Sequence, residues 1–167
     1  MPSVPLTPPQ KARILAEALP FIRAFHASTL IIRFGGGAMA DPALKEGFAR
    51  DVALLRLVGM NPIIVHGGGW RIDELLQTMG IPIRRQAGMR VTDEATLNVI
   101  EMVLGEINQE LVGLINRFGA KAVGLSGQDG RFIHARRMTL TPEAGSGQTP
   151  DLGLVGEVES IDPDVIH

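Results

Sequence analysis

The sequence contains no cysteine and no tyrosine, and aromatic residues make up only 4% of its 167 positions. The lack of cysteine excludes disulfide bonds, cysteine nucleophiles and thiolate metal sites within these residues, and it is consistent with a reducing compartment. No apolar run reaches the length of a membrane span, and residues 1–5 lack the basic and apolar regions of a signal peptide. We therefore predict a cytoplasmic protein that has no membrane partner.

An excess of charge of one sign is also lacking, because 16 Lys and Arg residues face 18 Asp and Glu residues. A protein that follows a phosphate backbone needs a basic excess or a block of like charge, so nucleic acid is not an expected partner. Hydrophobic residues make up 45% of the chain, which is enough for the core of one globular domain. The 20 glycines are clustered, which suggests loops where the backbone approaches a ligand.

Short apolar runs rich in strand formers alternate with segments of helical periodicity. An amphipathic helix is predicted over residues 10–26, ahead of the first strand, and a long helix over residues 93–118. The alternation predicts an α/β domain of three αβα layers, in which helices cover both faces of an open, mostly parallel sheet. The strands are predicted at 29–34, 62–66, 120–125, 131–138 and 152–161, with a flexible loop at 142–150.

Two successive predicted strands each end in three glycines, Gly35 to Gly37 and Gly67 to Gly69, directly before a helix. In open α/β sheets ligands bind beyond the carboxyl ends of the strands, where loop amides and helix N-termini carry partial positive charge. The pair of loops therefore predicts an anion site. The alternative is that the glycines only permit tight turns. Neither loop matches a Walker motif or the dinucleotide-binding pattern.

Four polar residues are candidates for contact with a ligand. Arg33 is a permanent charge inside an apolar strand, so it should face a ligand or a carboxylate, unless it lies at an edge and reaches solvent. Arg90 precedes a helix cap and could fork onto a carboxylate or remain a surface cation. His66 could contact a ligand or be structural, and Asp129 could serve only to stabilise a turn.

Five segments carry a resemblance to a known family. They are Val65 to Gly69, Gly88 to Asp93, Ile100 to Leu104, Gly124 to Gly127 and Asp151 to Val158. Taken in order over nearly the whole chain, they resemble N-acetylglutamate kinase of the amino-acid kinase family. The resemblance implies transfer of the γ-phosphoryl group of ATP to the side-chain carboxylate of N-acetyl-L-glutamate, an early step of arginine synthesis.

The resemblance also implies roles for individual residues. Gly68 and Gly69 resemble the loop that binds acetylglutamate, and Arg90 the residue that holds a substrate carboxylate. These residues are therefore the predicted substrate-binding residues of an N-terminal, substrate-binding lobe.

The first glycine loop resembles the part of the family site near the transferring phosphoryl group. Gly35 and Gly36 are the predicted phosphate-binding residues, and Arg33 stands at the position of a catalytic lysine. Phosphoryl transfer between two anions needs positive potential from amides and fixed cations, which these residues could supply. ATP and Mg²⁺ are implied as cofactors, but we identify no site for them and no metal ligand in the sequence.

Several positions depart from the family pattern. Arg33 replaces a lysine, and the two types of cation are not interchangeable at a positioned contact. Trp70 and Arg71 replace Pro-Gln after the second glycine loop, Glu106 replaces a basic residue, and Gln128 replaces a lysine. A degenerate, non-catalytic relative that binds a small anion or only oligomerises is therefore an alternative.

Two regions are predicted along the chain. Residues 1–28 form a tail and an appended helix, and residues 29–167 form the substrate-binding lobe, which ends before the nucleotide lobe of the family. The isolated lobe is expected to be inactive, and a separate nucleotide lobe is a candidate partner. The appended helix resembles one that interlaces dimers in arginine-inhibited members, so a homo-oligomer through this helix and the long helix is expected.

Overall fold

The computed structural model describes residues 5–140 and 151–166, so the predicted loop at 142–150 lies outside the described residues. Helices and strands alternate over most of the chain. The helices are α1 Pro8–Phe25, α2 Gly37–Ala40, α3 Pro42–Leu57, α4 Gly69–Thr78 and α5 Glu94–Arg117. The strands are β1 Thr29–Phe34, β2 Asn61–His66, β3 Arg85–Gln86, β4 Met89–Arg90, β5 Ile133–Arg137 and β6 Gly156–Ile161.

Strands β1 and β2 are parallel neighbours, joined by the crossover helix α3. Phe34 and His66, the last residues of the two strands, are paired in register. The two glycine loops consequently leave the sheet at the same edge, which confirms the predicted α/β fold with a parallel sheet. Helix α3 begins where it does because the Asp41 carboxylate accepts hydrogen bonds from the amides of Ala43 and Leu44, at 2.8 and 3.1 Å.

Helix α5 is the centre of the hydrophobic core. Its buried residues recur every four positions, from Val99 through Val103 to Ile107, and form one continuous apolar stripe. Leu76 of α4 and Phe34 of β1 pack in the same cluster. Asp93 accepts a hydrogen bond from the amide of Thr96 at 2.9 Å and caps α5, so the predicted long helix is confirmed almost to the residue.

The prediction of a strand over residues 120–125 is wrong, because this segment is irregular in the structure. Side chains of α5 take the backbone groups that a neighbouring strand would pair. The Asn116 carboxamide accepts a hydrogen bond from the Ala122 amide at 2.7 Å, and that of Asn108 donates to the Leu125 carbonyl at 3.0 Å. Val123 is 86% exposed, so the apolar pattern of this segment is not satisfied by burial among the described residues.

One face of the β1–β2 pair is covered and the other is open. Phe34 and Ile64 belong to the clusters formed with α3, α4 and α5, whereas Ile31 is 74% exposed and Val65 is about half exposed. The prediction that β1 is covered on both faces is therefore wrong for the described residues. All three packing helices lie against the same face, and α1 does not cover the other one.

Helix α1 confirms the predicted helix over residues 10–26. The Gln10 side chain accepts a hydrogen bond from the Thr7 amide at 2.9 Å, and Pro8 occupies the first helical position, where its missing N–H costs nothing. None of the 18 described residues of α1 is buried. In the part of the chain that the structure describes, neither this helix nor any other is long and apolar enough to cross a membrane.

The C-terminal strands β5 and β6 form an antiparallel pair, within the predicted segments 131–138 and 152–161. Leu152 is buried, and its carbonyl accepts a hydrogen bond from the Thr92 amide at 2.9 Å. This backbone contact attaches the segment before β6 to the start of α5.

Candidate functional site

The two glycine loops line one cleft of about 570 Å³ at the carboxyl edge of the β1–β2 pair. Arg33 and Trp70 also line this cleft. The volume suits a small ligand. The structure therefore brings Arg33 and the first loop together with the second loop, which begins 30 positions after the first loop ends.

The first loop is open to solvent. Gly35 and Gly36 are exposed, and a Cβ atom on either would meet no other atom within 4 Å. Gly36 has φ of +67°, a conformation that disfavours other residues. A tight turn therefore explains Gly36 only. The exposed amides of this loop remain accessible to an anion.

The second glycine loop, unlike the first, is constrained by packing. Gly68 is buried, and a Cβ atom there would lie 2.8 Å from the Ile107 Cδ1 atom and 3.3 Å from the Leu104 Cδ2 atom. Gly68 therefore lets the loop approach α5 closely. Gly69, the first residue of α4, is exposed and has open space at its Cβ position.

Arg33 lies on the open face of β1, opposite Val65 of β2, and is exposed at the mouth of the cleft. Arg33 therefore reaches solvent, as the alternative for this residue predicted. From the same position it can also contact a ligand in the cleft. The Nδ1 atom of His66 lies 3.4 Å from the carbonyl oxygen of Gly67. This contact joins neighbouring residues, so it agrees with the structural alternative for His66.

Arg90 is not a surface cation, because its side chain is only 14% exposed. Its Nη2 atom donates a hydrogen bond to Asp73 of α4 and lies 3.5 Å from the carbonyl oxygen of Gly69. The structure therefore places Arg90 beside the second glycine loop. The Nε atom of Arg90 is buried and has no hydrogen-bond partner in the part of the chain that the structure describes.

Asp73 is a site residue that the sequence analysis missed. Its two carboxylate oxygens pair with Arg90 and with Arg85, the latter at 2.7 Å. Burial raises the pKa of the Asp73 carboxyl, but the hydrogen bonds and charges of the two arginines outweigh it and hold the pKa below its usual range. Asp73 lies one helical turn after Gly69, on the face of α4 toward the antiparallel β3–β4 hairpin, and nothing in the sequence alone distinguishes it from a solvated residue.

A scan against protein-family models matches residues 28–167 to the model described as the amino acid kinase family. The chain belongs to the amino acid kinase family. The resemblance on which the sequence analysis rests is also confirmed. Among the curated relatives, the acetylglutamate kinases of Polynucleobacter asymbioticus and Methylobacillus flagellatus are each 55% identical to it over 162 residues.

These matches cover 96% of this chain but only 54% and 55% of the two kinases, so the chain spans about half the length of the curated relatives that it matches. Among solved structures, N-acetylglutamate synthase from Neisseria gonorrhoeae, complexed with coenzyme A and N-acetyl-glutamate, superposes with a TM-score of 0.73. It is 22% identical, and the match covers 93% of this chain and 34% of the synthase. This likeness shows a shared amino acid kinase fold.

Three residues that depart from the family pattern, Trp70, Arg71 and Glu106, line a second cavity beside the cleft. Trp70 lies between the main cleft and this second cavity of about 280 Å³, which the charged side chains of Arg71, Glu106 and Lys45 also line. The half-exposed Trp70 ring leaves the main cleft open.

The loop that follows residues 120–125 has a structural role. The Asp129 carboxylate accepts hydrogen bonds from the amide and the hydroxyl of Ser126, at 2.6 and 3.1 Å, which confirms its function in a turn. Gln128 donates to Glu101 of α5 at 2.8 Å. Within residues 5–140 and 151–166 there is no group of three His, Asp or Glu residues that could hold a metal ion.

Proposed function

We propose that this chain supplies the acetylglutamate site of an acetylglutamate kinase, an enzyme that phosphorylates the side-chain carboxylate of N-acetyl-L-glutamate in arginine biosynthesis. The observation that carries the proposal is the cleft in which both glycine loops meet Arg33, with Arg90 held against the second loop. The 55% identity to acetylglutamate kinases supports the choice of substrate. Because the chain spans about half of those relatives, the activity of the whole enzyme is part of the proposal.

The substrate has two carboxylates, and the cleft offers two kinds of partner for them. The carboxylate that accepts the phosphoryl group belongs near Arg33 and the amides of Gly35 and Gly36, where the charge of the transition state develops. The α-carboxylate then belongs at the second loop. There Arg90 can donate to it from the guanidinium, and the amides of the first turn of α4 add positive potential.

ATP would supply the phosphoryl group that is transferred. Of its parts, the described residues fit the terminal phosphate, for which Arg33 and the exposed amides of the first loop are suitable donors. We assign no residues to its adenosine moiety or to Mg²⁺. Arg33, exposed at the mouth of the cleft, keeps the charge of the lysine that it replaces, although its planar guanidinium donates in a different geometry.

The proposal is tested by titrating the 167-residue protein with N-acetylglutamate while the amide signals of Gly67 to Gly69 are followed by NMR. We expect these signals to move in the wild type and in Trp70→Ala. In Arg90→Ala the affinity should fall by about 2 kcal/mol or more, because the arginine is largely desolvated. Arg84→Ala is the matched control, since Arg84 is an exposed arginine at the start of the same hairpin segment.

Two results would contradict the proposed site. Absence of any movement at millimolar ligand in all variants would favour the non-catalytic alternative. An equal loss in Arg84→Ala and Arg90→Ala would mean that the ligand responds only to the net charge of the protein.

We also propose that α1 mediates homo-oligomer formation. Leu15 and Phe21 are 68% and 67% exposed on this helix, and Ile14, Leu19 and Phe25 are also exposed. Apolar side chains grouped in this way on one helix favour burial against another surface, and a symmetric partner is the commonest one.

A further inference from the structure

Asp73 connects two arginines of the β3–β4 hairpin. Arg85 and Arg90 are opposite each other in the antiparallel register, so their side chains leave the same side of the hairpin. Each donates from Nη2 to a different oxygen of the Asp73 carboxylate. One carboxylate on α4 thereby bridges two cations that would otherwise repel each other, and a net charge of +1 remains on the three side chains.

The arrangement limits how Arg90 can move. Its side chain is largely buried, and a buried guanidinium that lost its anion would be strongly disfavoured. The Asp73 hydrogen bond and the approach to the Gly69 carbonyl both involve the same nitrogen, Nη2. These two groups of α4 therefore fix the plane of the Arg90 guanidinium through its Nη2 atom.

Because only Nη2 takes part in these two contacts, other donors of Arg90 are free for a ligand. A guanidinium has five N–H donors, and the buried Nε donor of Arg90 has no partner in the described part of the chain. A buried polar donor without a partner is uncommon in folded proteins. Because this atom has almost no accessible surface, a substrate carboxylate completes its hydrogen bonding only if the local packing opens when the ligand binds.

We propose that Asp73 is a positioning residue for substrate binding: it fixes the guanidinium of Arg90 through Nη2 so that the remaining donors face the α-carboxylate of the substrate. This inference rests on the proposed function, because it requires that Arg90 binds that carboxylate. A preset guanidinium loses less freedom when the ligand arrives, and the affinity is higher for that reason.

The test compares two ligands on the full 167-residue chain. The first is N-acetylglutamate, and the second is N-acetyl-4-aminobutyrate, which lacks only the α-carboxylate. Asp73→Asn should weaken the binding of N-acetylglutamate by about tenfold and change the binding of the second ligand by less than about twofold. Asp73→Glu keeps the charge and should recover part of the affinity.

Glu74→Gln is the matched control, because Glu74 is the adjacent carboxylate of α4 and pairs with Arg71 instead. It should bind both ligands as the wild type does. A second measurement needs no ligand: the Nε–H signal of Arg90 should exchange slowly with water in the wild type and in Glu74→Gln, and much faster in Asp73→Asn.

The outcomes separate this inference from the proposed function. If the wild type binds N-acetylglutamate but Asp73→Asn binds it equally or more tightly, the positioning role is wrong while the proposed function stands. The same holds if Glu74→Gln weakens binding as much, or if the Nε–H exchange of Arg90 is unchanged in Asp73→Asn. If the wild type binds neither ligand, the proposed function and the positioning role both fail.

Discussion

Arg71 of α4 and Glu106 of α5 form an ion pair, with the Nη2 and Oε1 atoms 3.6 Å apart. The sequence analysis treated these residues as two separate departures from the acetylglutamate kinase pattern. In the structure they compensate each other, since a basic residue appears on one helix where an acidic one appears on the other. The hydrogen bond from Arg71 to Glu74, together with the charges of Glu106 and Glu74, raises the pKa of Arg71.

A charge reversal at Glu106 tests this compensation. Glu106→Lys should lower the melting temperature by a few degrees at most, because the pair is partly exposed and screened by solvent. The double variant Arg71→Glu, Glu106→Lys should recover most of the loss, as measured by thermal unfolding at low salt. Gln109→Lys adds a charge of the same sign at an exposed position of α5 and should have little effect. A double variant no more stable than Glu106→Lys would contradict the pairing.

Gly68 and Gly69 of the second glycine loop should respond differently to the same substitution. Gly68→Ala places a methyl group 2.8 Å from the Ile107 Cδ1 atom and 3.3 Å from the Leu104 Cδ2 atom, so these side chains must shift within the packed interior, at a cost of about 1 kcal/mol. Gly69→Ala meets no atom within 4 Å and lies at the first position of α4, where alanine is favourable. Urea unfolding at pH 7 compares the two free energies of unfolding. Equal stabilities would mean that Gly68 is not a packing requirement.

The sequence predicted the elements whose signals are local. Helix α5 follows from its apolar spacing and its aspartate cap, and the parallel pairing of β1 and β2 follows from two strands joined by one helix. The segment 120–125 was mistaken for a strand because its apolar residues have the pattern of one, while the hydrogen bonds that hold it come from Asn108 and Asn116. Those bonds depend on tertiary packing, which periodicity does not reveal.

The sequence predicted only part of the candidate site, because one of its contacts also depends on tertiary packing. Both glycine loops and Arg90 could be found from motifs, but the orientation of Arg90 depends on Asp73, which lies 17 positions earlier on a different element. A lone aspartate on an amphipathic helix has no feature in the sequence that distinguishes it from a solvated residue. Asp73 contacts Arg90 only because the β3–β4 hairpin packs beside α4.

The ion pairs of Asp73 make stability dependent on pH. The folded-state pKa of its carboxyl lies below the unfolded value of about 3.9, so the unfolded chain takes up a proton more readily. The stabilisation is therefore complete at pH values well above 4 and is lost as the pH falls through the lower, folded-state pKa. At pH 7 we expect Asp73→Asn to be less stable by about 1–3 kcal/mol.

Urea unfolding at a series of pH values measures this dependence. The difference between the wild type and Asp73→Asn should stay constant from pH 7 to about pH 5 and shrink below about pH 4. Glu74→Gln, which removes the neighbouring exposed carboxylate, should show a smaller difference at pH 7. A difference that persists unchanged at pH 2 would mean that the ion pairs are not its source.

The exposed apolar residues of α1 predict that assembly depends on this helix. Removal of residues 1–26 deletes Ile14, Leu15 and Phe21 while leaving β1 and the whole core intact, since no residue of α1 is buried. Sedimentation velocity should therefore show a smaller species for the truncated protein, with an unchanged melting transition of the core. Leu15→Lys with Phe21→Lys should give the same result, because burial of two ammonium groups in an apolar interface is costly. Lys11→Gln with Arg13→Gln changes two exposed polar residues of the same helix and should leave assembly unchanged. If the wild type and the lysine variant sediment alike, α1 does not join subunits.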